Sequence, residues 1–358
     1  MRWILSLEVL NKKGSDIMDK ILEVNNLKFS FKTYGGIVQS VRGVSFEVGE
    51  GEIVGIVGES GCGKSVTAQC LVRLNPEPPG FFEDGSIKYK GKEITKMSEK
   101  ELRAIRGVEI GFIFQDPMTS LNPTMKVGKQ IEEIFIQRKL YNKSELKEKA
   151  LEILKMVGIS DGERRYNQYP HELSGGMKQR VMIAIALVGQ PSVVIADEPT
   201  TSLDVTIEAQ ILDLLKDLQN KTKTSIILIT HDLGVIAKMC DRVLVMYGGI
   251  IVERGKVNEI FYNTKHPYTS GLLGSIASLE TEKGVELTPI EGTPPDLFSP
   301  PPGCPFAARC QYAMEICYNK MPPEYEISKE HKTVCWLEHE YAPDVKLPCK
   351  IQTKSEVL

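Results

Sequence analysis

One short run constrains this chain of 358 residues more than anything else in it. Gly58-Glu59-Ser60-Gly61-Cys62-Gly63-Lys64-Ser65 fits the pattern G-x-x-x-x-G-K-[ST]. It follows Ile53-Val54-Gly55-Ile56-Val57, a near-continuous apolar run that suits a strand buried on both faces of a parallel sheet. Glycines let the backbone close its N–H groups around phosphate oxygens, and a helix starting at Lys64 turns its positive end towards them. The candidate nucleotide-binding residues are Gly58, Ser60, Gly61, Cys62, Gly63, Lys64, Ser65 and Val66. Lys64 would reach the β- and γ-phosphates and Ser65 would ligate Mg²⁺. A Gly-rich turn can match such a pattern by chance, but the strand before it and the helix after it argue against chance here.

A second apolar run, Val193-Val194-Ile195-Ala196, delivers Asp197 and Glu198 to what would be the C-terminal edge of the same sheet, where open α/β sheets bind ligands. Asp197 would hold Mg²⁺ through water, and Glu198 is placed to polarise an attacking water. Leu173-Ser174-Gly175-Gly176 precedes a helix and forms a second anion-binding N-terminus. One ATP needs only one phosphate loop. Ser174, Gly175 and Gly176 are therefore expected to reach the γ-phosphate of a nucleotide held by another subunit.

The remaining pattern gives the architecture. Strands are expected at 21–24, 44–48, 85–91 and 108–114, with a helix from Lys64 to Leu74. Helical periodicity runs from Val127 to Val157, then returns at Met177–Val188 and Ile207–Leu218 around buried strands at Val193–Ala196 and Ile226–Ile229. Arg242–Glu253 reads as a hairpin about Gly248-Gly249. Strands alternating with helices give an α/β fold with a parallel core. Past residue 262 the texture becomes Pro-rich and irregular. The expected organisation is an extension over 1–20, a nucleotide-binding domain over 21–262 with a helical subdomain near 117–176, and a C-terminal extension over 263–358.

Composition excludes several classes. With 44 Lys+Arg against 47 Asp+Glu, a net charge of −3 gives no basic excess to drive nucleic-acid binding. No apolar run approaches the about 20 residues that cross a bilayer. Trp3–Leu10 has the texture of a signal segment but carries Glu8 and no small-residue cleavage site, so secretion is not expected.

Taken together, these motifs resemble the ATP-binding cassette (ABC) family from about residue 21 to 262. The resemblance implies a phosphate-loop NTPase (RecA-like) parallel-sheet core, an antiparallel β subdomain and a helical insertion. It also makes Gln115 the lid glutamine and a Mg²⁺ contact, Ser202-Leu203-Asp204 the dimer-contact loop, and His231 the switch histidine. Tyr34 is the candidate ring for stacking on adenine. The implied mechanism is a head-to-tail dimer with two ATP molecules at the seam, hydrolysing by water that Glu198 polarises while Lys64, Gln115 and His231 act on the γ-phosphate.

A cassette of this kind acts on something else. Soluble mechanical ATPases are the alternative class, but they usually carry two cassettes, coiled coils or basic arms, and this chain shows one phosphate loop. Lys265-His266-Pro267-Tyr268-Thr269, Gly303-Cys304-Pro305-Phe306 and Arg309-Cys310 resemble the C-terminal extension of oligopeptide/dipeptide importer ATPases. That resemblance implies a second ATPase subunit (self or sister), two membrane permeases, an external peptide-binding protein and a place on the cytoplasmic face of the membrane. Nickel and short-oligosaccharide importers carry similar tails and stay open as alternatives.

Cys304, Cys310, Cys317 and Cys335 crowd the same tail. Cys310 and Cys317 would share a face if one helix ran through Ala313–Ile316, and four converging thiolates can hold Zn²⁺ or an iron–sulfur cluster. Spacing leaves the two open, since C-x-x-C pairs are missing. The importer resemblance favours a [4Fe–4S] cluster in a small Cys-rich lobe, with Cys349, His331 and His339 in reserve.

Overall fold

The computed structural model describes residues 20–139, 141–201, 203–275 and 290–348. The expected N-terminal extension (apart from Lys20), Ser202 and Cys349 lie outside them.

Two sheets organise the chain. The first is antiparallel and four-stranded, built from β1 (Lys20–Thr33), β2 (Gly36–Gly49), β4 (Gly80–Tyr89) and β5 (Lys92–Glu93) in the order β2-β1-β4-β5. The second has eight strands in the order β11-β12-β10-β9-β3-β8-β7-β6. Its parallel part comprises β3 (Ile53–Val57), β6 (Ile110–Ile113), β7 (Val193–Asp197), β8 (Ser225–Thr230) and β9 (Arg242–Tyr247). Every residue of β3, β7 and β8 is buried, which is why these strands read as unbroken apolar runs. β10 (Ile250–Lys256) folds back on β9 through Gly248 and Gly249, at φ 54° and 82°, the paired left-handed residues of a tight hairpin turn.

The helices in chain order are α1 (Lys64–Cys70), α2 (Glu99–Ile105), α3 (Pro117–Ser120), α4 (Val127–Arg138), α5 (Leu146–Met156), α6 (Gly162–Tyr166), α7 (Gly175–Leu187), α8 (Val205–Thr222), α9 (Leu233–Met239), α10 (Val257–Tyr262), α11 (Pro267–Gly274) and α12 (Glu315–Asn319). The helical stretch expected from Val127 to Val157 is thus two helices. α4 ends where Lys139 turns to φ 52°. α1 stops at Cys70, short of the expected Leu74, and Arg73 turns left-handed just beyond it. α4 to α6 contribute Val127, Ile131, Phe135, Ala150, Leu154 and Tyr166 to one apolar cluster with Val181–Ala184 of α7.

The tail is knitted into the core sheet. β11 (Tyr325–Glu326) and β12 (Lys332–Thr333) pair antiparallel and extend the sheet beyond β10, with Glu253 opposite Thr333. The buried Glu253 carboxylate accepts from the Thr264 hydroxyl at 2.8 Å and from the backbone N–H groups of Lys265 and His266 at 2.6 and 3.2 Å. The ring of His331, also fully buried, lies 2.8 Å from it. One carboxylate therefore ties the last cassette strand, the α10–α11 linker and the tail together, and its removal would orphan several buried donors.

His266 is buried beside this knot, and burial lowers its pKa from 6.5 to about 4, against the opposing pull of the Glu253 charge. Its Nε2 finds no partner. The unfolded chain therefore binds a proton between pH 6.5 and 4 that the folded chain refuses, so stability falls as pH drops through that window. The expected loss at full effect is about 3 kcal/mol. Urea midpoints at neutral and acidic pH should diverge in the wild type and converge in His266→Gln; equal slopes in both would count against it.

Candidate nucleotide site

The site lies along one edge of the parallel sheet, where β3, β6, β7 and β8 all end. Each strand hands one or two polar residues to the same place. β3 leads into the phosphate loop, and Gly63 caps α1 at φ 101° with its Cα so close to β2 that an added Cβ would sit 2.4 Å from the Ser40 carbonyl oxygen. Only glycine fits there. Gly58, Cys62 and Lys64 are buried, Ser60 and Gly61 are exposed, and Val66 packs against the core beneath. Burial pushes the Cys62 thiol up, so it serves as packing.

The Lys64 ammonium is turned inward. It donates to the carbonyls of Gly58 at 2.8 Å and Glu59 at 3.0 Å. The Ser65 hydroxyl donates to Asp197 Oδ1 at 2.9 Å, so two of the three expected Mg²⁺ contacts, one at the start of α1 and one at the end of β7, are already neighbours. Asp197 is 3% exposed, and burial raises its carboxyl pKa; the Ser65 bond opposes this, the Glu198 charge adds to it and the Lys64 charge opposes it. A buried carboxylate and a half-buried hydroxyl beside the Lys64 loop suit a divalent ion bound with a polyphosphate.

Glu198 follows in the left-handed region at φ 45°, its N–H still bonded to the Ile229 carbonyl of β8 at 2.9 Å. Its carboxylate accepts from Gln115 Nε2 at 2.8 Å and from the Thr201 hydroxyl at 2.9 Å. His231 Nδ1 is 3.7 Å from the other oxygen, longer than a hydrogen bond. His231 is held between the end of β8 and Asp232, which caps α9 by accepting from Gly234 and Val235 N–H groups. Lys64, Ser65, Gln115, Asp197, Glu198 and His231 thus converge from four loops. Thr201 was not among the sequence candidates; the turn Glu198-Pro199-Thr200-Thr201, closed by Thr201 N–H on the Glu198 carbonyl, is the local signal that could have found it.

The other candidates stand apart. Tyr34 tips the β1–β2 turn with its ring fully exposed. Ser174 and Gly175 are exposed at the start of α7, and the Ser174 side chain makes no cap bond. No hydrogen bond joins them to the phosphate loop of their own chain. α7 instead touches the catalytic edge through Gln179, whose Nε2 donates to the Pro199 carbonyl at 2.5 Å. Asp204 caps α8 by accepting from Ile207 N–H at 3.0 Å.

The helix expected among the tail cysteines needs correction. Among the described residues, no group of three or more His, Cys, Asp or Glu side chains is arranged to hold a metal ion. The helix meant to align Cys310 with Cys317 covers only Glu315–Asn319, and Cys310 ends a separate 3₁₀ turn. Cys317 Sγ accepts from the Met314 N–H at 3.4 Å, a local cap. Burial pushes the Cys304 thiol up to about 12 and raises Cys310 and Cys335 as well, the neighbouring thiols adding to each. Of the reserve ligands, His331 is engaged with Glu253, and His339 lies tilted against Trp336 with ring centroids 5.8 Å apart.

Comparisons with known proteins agree with this geometry. A family model described as "ABC transporter" matches residues 41–201, and one described as "Oligopeptide/dipeptide transporter, C-terminal region" matches 252–317. The oligopeptide transport ATP-binding protein OppD of Bacillus subtilis is 56% identical over 339 residues, covering 95% of each chain. The dipeptide transport ATP-binding protein DppD of the same organism is 54% identical, covering 91% of this chain and 97% of its own. Among solved structures, the ATP-binding cassette MJ0796, a dimer in a post-hydrolysis state bound to ADP and Pi, matches with TM-score 0.60 and 30% identity. That match spans 66% of this chain and 98% of the cassette.

Glu198→Gln removes the negative oxygen that Gln115, Thr201 and His231 surround while keeping its shape. It is expected to slow ATP turnover by about 10²–10⁴ with nucleotide binding intact. Phosphate release at undiminished rate from purified Glu198→Gln protein would refute the assignment.

Proposed function

Because the chain belongs to the oligopeptide/dipeptide family of ABC transporter ATP-binding subunits, we propose that it hydrolyses ATP to drive uptake of di- and oligopeptides through partner permeases. One observation carries the reading: four parallel strands bring Lys64, Ser65, Gln115, Asp197, Glu198 and His231 to one edge, while Ser174–Gly176 stand outside that cluster. A second cassette, identical or a sister subunit, would supply its own Ser174–Gly176 equivalent across the seam. The dimeric state of the MJ0796 cassette supports this arrangement.

The chain's own groups divide the work. Backbone N–H groups from Gly61 to Ser65 surround the phosphates, and Lys64 trades its two carbonyl partners for phosphate oxygens. Tyr34 offers its exposed face to adenine. Ser65, Asp197 and Gln115 would hold Mg²⁺, which when bound supplies positive charge to the β- and γ-phosphate oxygens. Glu198 would orient and polarise the attacking water, and His231, 3.7 Å from its Oε1, would contact the γ-phosphate. Gln115 leaves Glu198 for the nucleotide side of the cleft, which couples occupancy to α3 and the helical subdomain.

No helix among the described residues is long and apolar enough to cross a membrane. In the proposed reading, membrane permeases supply the path, an external binding protein supplies the peptide, and this chain sits peripherally on the cytoplasmic face. Co-purification from native membranes identifies those partners, and the ligand of the co-purifying binding protein identifies the cargo.

Two measurements follow. ATPase activity per molecule of the isolated chain is expected to fall on dilution, since each site needs a partner's Ser174–Gly176. Constant specific activity from a monomer verified by light scattering would contradict this. For the tail, protein purified under argon decides the fate of the thiols: absorbance near 400 nm with about four iron and four sulfide per chain would mean that they gather on a cluster. One equivalent of zinc without iron would mean a zinc site, and protein free of both would leave them as packing.

A further inference from the structure

The tail reaches the phosphate loop itself. Glu59, the second residue of the loop, is gripped at both its side chain and its backbone by residues from the C-terminal extension. Its carboxylate accepts from Arg309 in a two-pronged pair, Nη1 to Oε2 at 2.7 Å and Nη2 to Oε1 at 3.0 Å. Its N–H donates to the Tyr268 hydroxyl at 2.8 Å. The carbonyl of that same peptide, Gly58 O, accepts from Lys64 Nζ at 2.8 Å, and the Glu59 carbonyl that follows accepts from it at 3.0 Å, so the peptide that the tail holds is one that Lys64 leans on.

Arg309 has no freedom to do anything else. Nε donates to the Glu291 carbonyl at 2.8 Å, Nη1 also to the Tyr247 hydroxyl at 3.1 Å and Nη2 also to the Ile290 carbonyl at 3.0 Å. With the two bonds to Glu59, all five N–H donors of the guanidinium are used. Its side chain is 6% exposed, against 25% for Glu59. Tyr268 is fully buried, with its ring 4.4 Å from that of Tyr247 and 5.3 Å from that of Phe306. This is a rigid support built almost entirely from the tail and the strand β9 beside it.

A carboxylate within a loop that wraps a polyanion needs neutralising. Left unpaired, Glu59 would repel the triphosphate and would be free to swing its peptide away from Lys64. We infer that Arg309 and Tyr268 are positioning residues for the ATPase reaction: they cancel the Glu59 charge and fix its peptide, so that the C-terminal extension sets the affinity of the phosphate loop for nucleotide. The extension is then a working part of the nucleotide site as well as an appendage to the cassette.

The test is a fluorescence titration of the full-length chain with a methylanthraniloyl-ATP probe and Mg²⁺. Arg309→Gln is expected to raise Kd about tenfold, because it strands the carboxylate. Glu59→Gln is expected to raise it less than about threefold. The double variant should return to the Glu59→Gln value, since the stranded charge is gone. A purely structural role for Arg309 gives no such recovery. Tyr268→Phe, which keeps the ring packing and loses only the acceptor, should cost about threefold. Should Arg309→Gln yield no folded protein, Arg309→Lys carries the test: it keeps the charge, loses the fork and should fall between wild type and tenfold. Wild-type affinity in Arg309→Gln (or in Arg309→Lys where that variant carries the test), or a double variant as weak as Arg309→Gln alone, overturns the inference. The inference rests on the ATP reading above. A wild-type chain that fails to bind the probe would overturn both, whereas wild-type binding with unaltered variants overturns this one alone.

Discussion

Everything at the nucleotide site depends on the in-register parallel pairing of β3, β8, β7 and β6. Parallel strands run the same way, so their C-terminal ends lie at one edge, and each crossover must leave from that edge. The pairing Val57 with Thr230 and Asp197 with Ile229 sets the loop after β3 beside His231 and the acidic pair. Residues from four distant stretches of the chain meet because four strands end level. A register slip on β7 would turn Asp197 to the other face of the sheet and separate it from Ser65.

The share of the site that one chain carries is internally bonded. Lys64 is bound to loop carbonyls, Ser65 to Asp197, and Glu198 to Gln115 and Thr201. Nucleotide must compete with each of these bonds, so part of its binding energy goes into rearranging the residues that act on it. The bond between Gln115 and Glu198 matters most in this respect. Gln115 precedes α3, whose Met118 receives the Lys178 ammonium from α7. A change at the carboxylate therefore has a short covalent and hydrogen-bonded route into the helical subdomain.

Much of this was legible in the sequence, for identifiable reasons. The phosphate loop and the acidic strand end are local, and strands buried on both faces announce themselves as apolar runs. β1 was read only at its first few residues because bulges near Val24 and Leu27 break the period-two alternation. In the tail, the expected helix carrying both Cys310 and Cys317 is not there, because Cys310 ends a 3₁₀ turn and the helix starts only at Glu315. Thr201 and Glu59 escaped because their roles come from partners that the linear pattern does not show, a strand-end carboxylate in one case and a tail guanidinium in the other.

That last pairing bears on why such a tail is attached to a cassette at all. A long extension gains little stability from adding two short strands at a sheet edge, since each brings only two residues. It gains specificity from anchoring. Glu253 fixes its start through Thr264 and its distal part through His331, Arg42 holds its middle by donating to the Pro301 carbonyl at 3.4 Å, and Glu59 receives Arg309. Three anchors on three different strands or loops leave the extension one way to lie across the cassette. The anchor with the most complete hydrogen bonding is the one at the phosphate loop. A structure that needed only a cover for its sheet edge would have no use for five satisfied donors there.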